Sequence, residues 1–167
     1  METKMEDNEL VITRVVDAPR DLVFKMWSEV EHLKNWWGPT GFKIEVAEMN
    51  FRPGGVFHYK MLSPDGDEMW GKFVYHEIES PEKIVFVNSF SDPEGNIVRA
   101  SFSATFPLEI YNHLTLTETE GKTTITLRGG PINVSDEELN FFKGMFDSMK
   151  QGFGATFDQL DEYLAKV

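Results

Sequence analysis

Residues 135–165, SDEELNFFKGMFDSMKQGFGATFDQLDEYLA, decide how the rest of the chain is read. Ser135 followed by Glu138 has the form of a capping box, and Asp136, Glu137 and Glu138 place negative charge at the positive end of a helix dipole. Leu139, Phe142, Met145, Phe146, Met149, Phe153, Phe157, Leu160 and Leu164 then recur every three or four positions, which makes one apolar stripe. The spacing predicts a single long helix running to about Ala165. Such a stripe has to be buried, and the preceding chain offers a sheet to bury it.

From Phe42 to Arg128 the apolar period is two. Strand-like runs fall near Phe42–Phe51, Val56–Leu62, Met69–Ile78, Ile84–Phe90, Tyr111–Thr119 and Thr123–Arg128. Short connections rich in turn formers separate them: Arg52-Pro53-Gly54-Gly55, Ser63-Pro64-Asp65-Gly66, Asp92-Pro93-Glu94-Gly95-Asn96 and Glu118-Thr119-Glu120-Gly121-Lys122. The pattern predicts an antiparallel meander. Ala100–Ile110 is read as an edge strand or a crossing loop, because Pro107 cannot donate in a ladder. Ahead of these strands, Leu10–Val16 reads as a β-branched strand. Asp17-Ala18-Pro19-Arg20-Asp21 opens a helix with Pro19 at its first position, and Ser28-Glu29-Val30-Glu31 caps a second short helix that stops near Trp37-Gly38-Pro39. The expected fold class is α+β: a curved antiparallel sheet of about six to seven strands wrapped around a long C-terminal helix, with two short helices after the first strand. Residues 1–167 are expected to form one domain, with 1–9 as a flexible, charged leader.

Composition narrows the function classes. The 167-residue chain can bury roughly 70% of its surface without staples. Its net charge of −12 repels phosphate backbones and anionic headgroups, which argues against nucleic acid and membrane partners. The absence of cysteine removes disulfides, thiolate metal sites and cysteine nucleophiles. No signal-like segment or apolar run of membrane-spanning length is present, so the expected compartment is the cytoplasm. His32, His58, His76 and His113 lack metal-site spacing, and no metal or cofactor is expected. Gly54-Gly55 and Gly129-Gly130 fit hairpins and lack the spacing of a nucleotide loop.

A helix held against a concave sheet encloses either a packed core or a cavity. Gly144, Gly152 and Gly154 each cost about 1 kcal/mol inside a helix relative to Ala, so they signal a void or a close approach. Phe142, Met145, Phe146, Met149 and Phe153 would face the sheet, and Met adapts to ligands of irregular shape. Alternation turns Phe57, Tyr59 and Met61 inward, together with Met69, Phe73 and Tyr75, Leu114 and Leu116, and Ile125 and Leu127, while Trp70 points to the other face. The strand containing Phe86 is apolar on both faces, so its parity stays open. One of Trp36 and Trp37 belongs to the core and the other can close a cavity mouth. Tyr59, Tyr75, Arg99 and Glu109 are candidates to place polar groups in the pocket, against the alternative of ordinary surface pairs.

Asp17-Ala18-Pro19, Val23-Phe24, Trp27, His32-Leu33, Trp36-Trp37-Gly38-Pro39, Arg52-Pro53-Gly54-Gly55, Pro64-Asp65-Gly66, Gly71 and the strand from Lys122-Thr123-Thr124 resemble the SRPBCC (START-like) superfamily. Within it, the chain resembles the activator of Hsp90 ATPase homologue 1-like family, across about residues 10–165. The resemblance implies a Bet v 1-like helix-grip fold whose cavity holds an apolar small molecule, and it transfers no catalytic residues. The expected function is therefore binding of a small hydrophobic or aromatic ligand, lipid-like or polycyclic. The candidate cavity residues are Trp36, Trp37, Phe57, Tyr59, Met61, Phe73, Tyr75, Phe86, Leu114, Leu116, Phe142, Met145, Phe146, Met149 and Phe153. The alternatives are a stress-related module that contacts a chaperone and a cyclase- or hydrolase-like enzyme using the same pocket. A monomer or weak homodimer is expected.

Overall fold

The computed structural model describes residues 9–100 and 103–167. Its strands are β1 (Leu10–Val16), β2 (Lys43–Met49), β3 (Val56–Leu62), β4 (Glu68–Glu79), β5 (Lys83–Ser91), β6 (Ile110–Thr119) and β7 (Lys122–Pro131). They form one antiparallel seven-stranded sheet in the order β1-β7-β6-β5-β4-β3-β2. The last six strands follow one another as a meander, through short connections except for the long one from Ser91 to Ile110 between β5 and β6, and β1 closes the far side by pairing with β7. The helices are α1 (Arg20–Ser28), α2 (Val30–Leu33), α3 (Asp136–Gly144) and α4 (Phe146–Leu164).

Alternation places the side chains as the period-two reading requires. Phe57, Tyr59, Met61, Phe73, Tyr75, Leu114, Leu116, Ile125 and Leu127 are all buried in the main core, and Met69 packs against it half-buried. Trp70 emerges on the other face, its ring 4.9 Å from His58 and capped by the Lys60 ammonium. On β5, whose parity alternation left open, Ile84 and Phe86 enter the main core, while Val85 and Val87 are buried on the opposite face. Phe86 stacks on Phe73 at 4.3 Å, which locks β4 to β5 on the inner side.

Four local expectations are corrected, and one open alternative is resolved. Pro19 sits one position before α1, extended at φ −70° and ψ 154°, with its carbonyl accepting from the Val23 amide. Ser28 caps nothing: it is the last residue of α1, and Glu29 takes the extended position ahead of α2. Gly129-Gly130 continue β7 to Pro131 and form no hairpin turn. Of the two readings of Ala100–Ile110, the described part takes the loop up to Glu109, with Ile110 opening β6, and 101–102 fall outside the described residues. The long C-terminal helix is two helices: the Ser135–Glu138 capping box forms and starts α3 as expected, but the chain leaves helical geometry at Met145 (φ −97°, ψ 4°), directly after Gly144. Glycine there weakens the helix at the position where the path has to bend. Residues 1–8 of the expected leader lie outside the described residues, and Glu9, its last residue, is only 8% exposed.

The C-terminal half of α4 is clamped. Phe157 and Leu160 are buried against Trp27 and Trp36. Thr156 Oγ1 donates to the Gly38 carbonyl at 3.0 Å, and Gln159 Nε2 donates to the Trp36 and Gly38 carbonyls at 3.1 and 2.8 Å. Arg14 of β1 pairs with both Asp158 and Asp161, and the Tyr163 hydroxyl meets His32 Nδ1 at 2.7 Å. Among the described residues, none offers the N-terminal half of α4 a comparable hydrogen bond or ion pair. A Cβ built at Gly144, Gly152 or Gly154 meets nothing within 4 Å; Gly144 faces solvent, and of the three only Gly152, itself exposed, borders the space between helix and sheet.

Gly71, opposite Tyr59 in the β3–β4 ladder, shows the reverse: a Cβ there would lie 2.7 Å from the Tyr59 hydroxyl oxygen and 2.8 Å from Cζ. The Tyr59 ring, stacked on Phe57 at 4.7 Å, cannot retreat without disturbing the core. Gly71→Ala is therefore expected to cost about 1–3 kcal/mol in chemical denaturation, the scale of overpacking. A variant as stable as the parent would show that Tyr59 does not lie over this glycine.

Candidate functional site

Between the N-terminal half of α4, outside the clamp, and the sheet lies a cavity of about 380 Å³. Such a volume lies within the range of small-molecule sites. The sheet contributes Leu10 and Ile12 from β1, Tyr59 and Met61 from β3, Gly71 from β4, Asn88, Ser89 and Phe90 from β5, Ile110 and Asn112 from β6, and Leu127 and Gly129 from β7. The helical side contributes Phe142, Met145, Ser148, Met149, Gly152, Phe153 and Thr156, and two loops close the ends with Trp37-Gly38-Pro39 and Phe106-Pro107-Leu108. Positions 145, 149, 152 and 156 lie on one face of α4 and its N-terminal corner by the three-four rule. Among the described residues, none of the lining side chains is Asp, Glu, Lys, Arg or His.

The amide and phenol groups of this cavity sit on the sheet wall, while α4 adds the Ser148 and Thr156 hydroxyls, the latter committed to the Gly38 carbonyl. Tyr59 is buried beside Trp37, and its hydroxyl accepts from Asn88 Nδ2 at 3.4 Å. Burial pushes its phenol above the usual tyrosine value, and its interactions with Trp37 and Asn88 only partly oppose that. Tyr59 is thus a protonated hydrogen-bond donor at neutral pH and a poor base. Asn88 Nδ2 also donates to the Lys72 carbonyl at 3.1 Å, and Asn112 Nδ2 donates to the Ile110 carbonyl at 3.1 Å.

Seven of the expected residues line the cavity: Trp37, Tyr59, Met61, Phe142, Met145, Met149 and Phe153. The other eight do not. Trp36, Phe57, Phe73, Tyr75, Phe86, Leu114 and Leu116 are packed in the core behind the wall, and Phe146 turns edge-on to Phe142 at 5.5 Å, away from the lining. The two tryptophans divide the two expected roles, Trp36 being 1% exposed with its Nε1 donating to the Met26 carbonyl, while Trp37 faces the cavity between Phe73 and Phe153. Of the polar candidates only Tyr59 reaches the cavity. The Tyr75 hydroxyl points to Met49 Sδ at 3.7 Å, Arg99 pairs with Glu138, and Glu109 is absent from the lining.

Sequence reasoning missed Asn88, Asn112 and Gly129. Their signal was present: an Asn in the inward phase of an otherwise apolar strand is a buried polar group that needs a reason. It could not be read while the parity of β5 was open and Gly129 was taken for a turn. Thr156 and Gly152 were missed because the break at Met145 shifts which face of α4 looks into the cavity.

A loop wall is fastened to α3. Arg99 Nη1 donates to the Phe106 carbonyl at 3.1 Å and pairs with Glu138, whose Oε1 also accepts from the Ser135 amide at 3.0 Å. The Phe106 ring lies edge-on to Phe90 and Phe141. The Ser135 amide and then the Arg99 guanidinium hold the Glu138 carboxyl below its usual value.

A curved antiparallel sheet gripping a C-terminal helix, with a cavity between them that opens to solvent, defines a helix-grip, Bet v 1-like protein. The family model described as activator of Hsp90 ATPase homolog 1-like protein matches residues 17–165, and the chain belongs to that family. Among solved structures, a protein of Mycobacterium smegmatis is 26% identical, with 96% of this chain and 92% of that one covered and a TM-score of 0.77. An Arthrobacter aurescens protein is 24% identical over 98% of this chain and 89% of that one, with a TM-score of 0.81. An AHSA1 protein from Silicibacter pomeroyi shares the fold at 16% identity, 94% and 97% coverage and a TM-score of 0.70. No curated protein matches.

The Glu138 tie sets a pH dependence. A carboxyl whose folded value is depressed contributes stability above its unfolded value and loses it as pH falls through the folded one. Glu138→Gln, which keeps a capping side chain but removes the ion pair, is expected to speed amide exchange at Thr105 by about two- to fivefold at neutral pH, the scale of an exposed pair. Acidifying the parent below the usual carboxylate range should give the same acceleration after correction for intrinsic exchange. Protection unchanged in both would show that Arg99 does not hold this loop.

Proposed function

We propose that this chain, as one domain, binds a small hydrophobic or aromatic molecule in the cavity between the sheet and α4. The observation that carries the reading is the cavity itself, apolar on nearly every side, bordered by glycines that forgo side chains and walled by Met61, Met145 and Met149. An evolved core at ordinary packing density would fill such a space. Removing about 200 Å² of ligand apolar surface from water supplies about 5 kcal/mol before association costs, so affinity is modest unless hydrogen bonds add to it. The described part of the chain has no helix long and apolar enough to cross a membrane, and a cytoplasmic, cysteine-free carrier or receptor is consistent with that.

The family description favours a second reading, a surface that contacts a chaperone. With a net charge of −12, such a contact would use a basic patch on the partner and weaken with salt.

Amide NMR titration with phenanthrene, a neutral polycyclic probe, separates the two. Saturable shifts on Tyr59, Trp37 and the Met145–Thr156 face are expected. Met149→Trp and Gly152→Trp are expected to keep the parent spectrum elsewhere and to lose these shifts, with affinity falling at least about tenfold as the probe's space is filled. Shifts produced only by an Hsp90 middle domain, abolished by salt and indifferent to both substitutions, would replace this reading with the chaperone one.

A further inference from the structure

We infer that the cavity selects an uncharged ligand carrying a hydrogen-bond-donating group, such as a hydroxyl, which is received by Asn112 and Asn88 on the sheet wall. This rests on the ligand-binding reading above and specifies the chemistry of that site.

Two observations carry it. The first is the orientation of the two amides. A backbone carbonyl only accepts, so the atom that Asn112 turns to the Ile110 carbonyl has to be its NH₂, and the same holds for Asn88 against the Lys72 carbonyl. Each amide therefore presents its Oδ1 elsewhere, and among the described residues neither oxygen has a hydrogen-bond partner. Asn112 is only 6% exposed as a residue, and the accessibility its unpartnered Oδ1 retains is toward the cavity, where a ligand's donor can take the place of water. Its Oδ1 lies over Gly129, where a Cβ would come within 2.8 Å of it, and both residues line the cavity. The missing side chain at 129 leaves the oxygen uncovered. The Tyr59 hydroxyl, already accepting from Asn88, keeps its own proton as a further donor beside them.

The second observation is the lack of charge. With no cationic side chain on the described wall and a net charge of −12 on the chain, a carboxylate or phosphate would be desolvated without compensation. A fatty acid anion is therefore disfavoured. A cation finds no carboxylate on the wall either. What remains is a neutral molecule whose apolar body fills the space between the methionines and whose donor meets the amide oxygens.

The test uses the whole chain and four probes with one skeleton: phenanthrene, 9-methoxyphenanthrene, 9-phenanthrol and phenanthrene-9-carboxylate, with dissociation constants from fluorescence or NMR at neutral pH. Phenanthrol is expected to bind about two- to tenfold tighter than the methoxy compound, the effect of one neutral hydrogen bond, and the carboxylate weakest of the four. Asn112→Leu, with Asn88→Leu as the second variant should the first fail to fold, is expected to erase the preference for phenanthrol while leaving phenanthrene bound. Equal affinity for phenanthrol and methoxyphenanthrene in the parent, or tightest binding of the carboxylate, would overturn this inference and leave the apolar-ligand reading standing. Failure of all four, phenanthrene included, would overturn both.

Discussion

The clamp between the C-terminal half of α4 and the Trp36–Gly38 carbonyls is the contact on which the rest of the structure depends. Gln159 and Thr156 satisfy backbone acceptors that have no helix or strand to join, and Phe157 and Leu160 bury the adjoining apolar surface. Helix and loop hold each other. The Trp36-Trp37 loop owes its position to α4, and α4 owes its direction to that loop and to the Arg14 pairs at the sheet edge. Without this fixed end, the apolar face of α4 would settle fully onto the sheet, and no cavity would remain.

The other end answers to a different constraint. α3 begins at a fully formed capping box and is fastened through Glu138 to Arg99 and the Phe106 carbonyl. One straight helix cannot satisfy both this anchor and the clamp. The corner at Met145, next to Gly144, joins two helices with separate attachments. The cavity is the space this mismatch leaves, and the sheet lines it with residues whose small size or polarity would be out of place in a solid core: Gly71, Gly129, Asn88 and Asn112.

The architecture was legible in the sequence because it rests on periodicity. Six of the seven strands and the inward set on β3, β4, β6 and β7 follow from alternation, and the Ser135 cap follows from its own four residues. The site was legible only in part, for physical reasons. Hydrophobicity says that Phe57, Phe73 and Leu114 are inside, but the interior of this fold has two depths, and only a three-dimensional arrangement tells the packed layer from the lining. The break at Met145 is set by anchors distant in sequence, at Arg99 and Gly38, so a stripe read along one ideal helix points Phe146 inward and overlooks Thr156 and Gly152. Ser28 shows the same limit at short range: a capping pattern is present, yet α1 runs through it because Trp27 and Met26 are buried just before.

The glycines bordering the cavity have a thermodynamic consequence. Wall atoms facing empty space lose the dispersion contacts that a solid core provides, so the unliganded protein folds with its interior incomplete. A molecule that binds the native state and not the unfolded chain adds RT ln(1 + [L]/Kd) to folding stability, about 2.7 kcal/mol at a hundredfold excess over Kd. On the proposed function, occupancy would be coupled to survival of the fold, and the ligand would act as the last component of the core. In a cell, the steady-state amount of such a protein would rise and fall with the supply of the molecule that completes it.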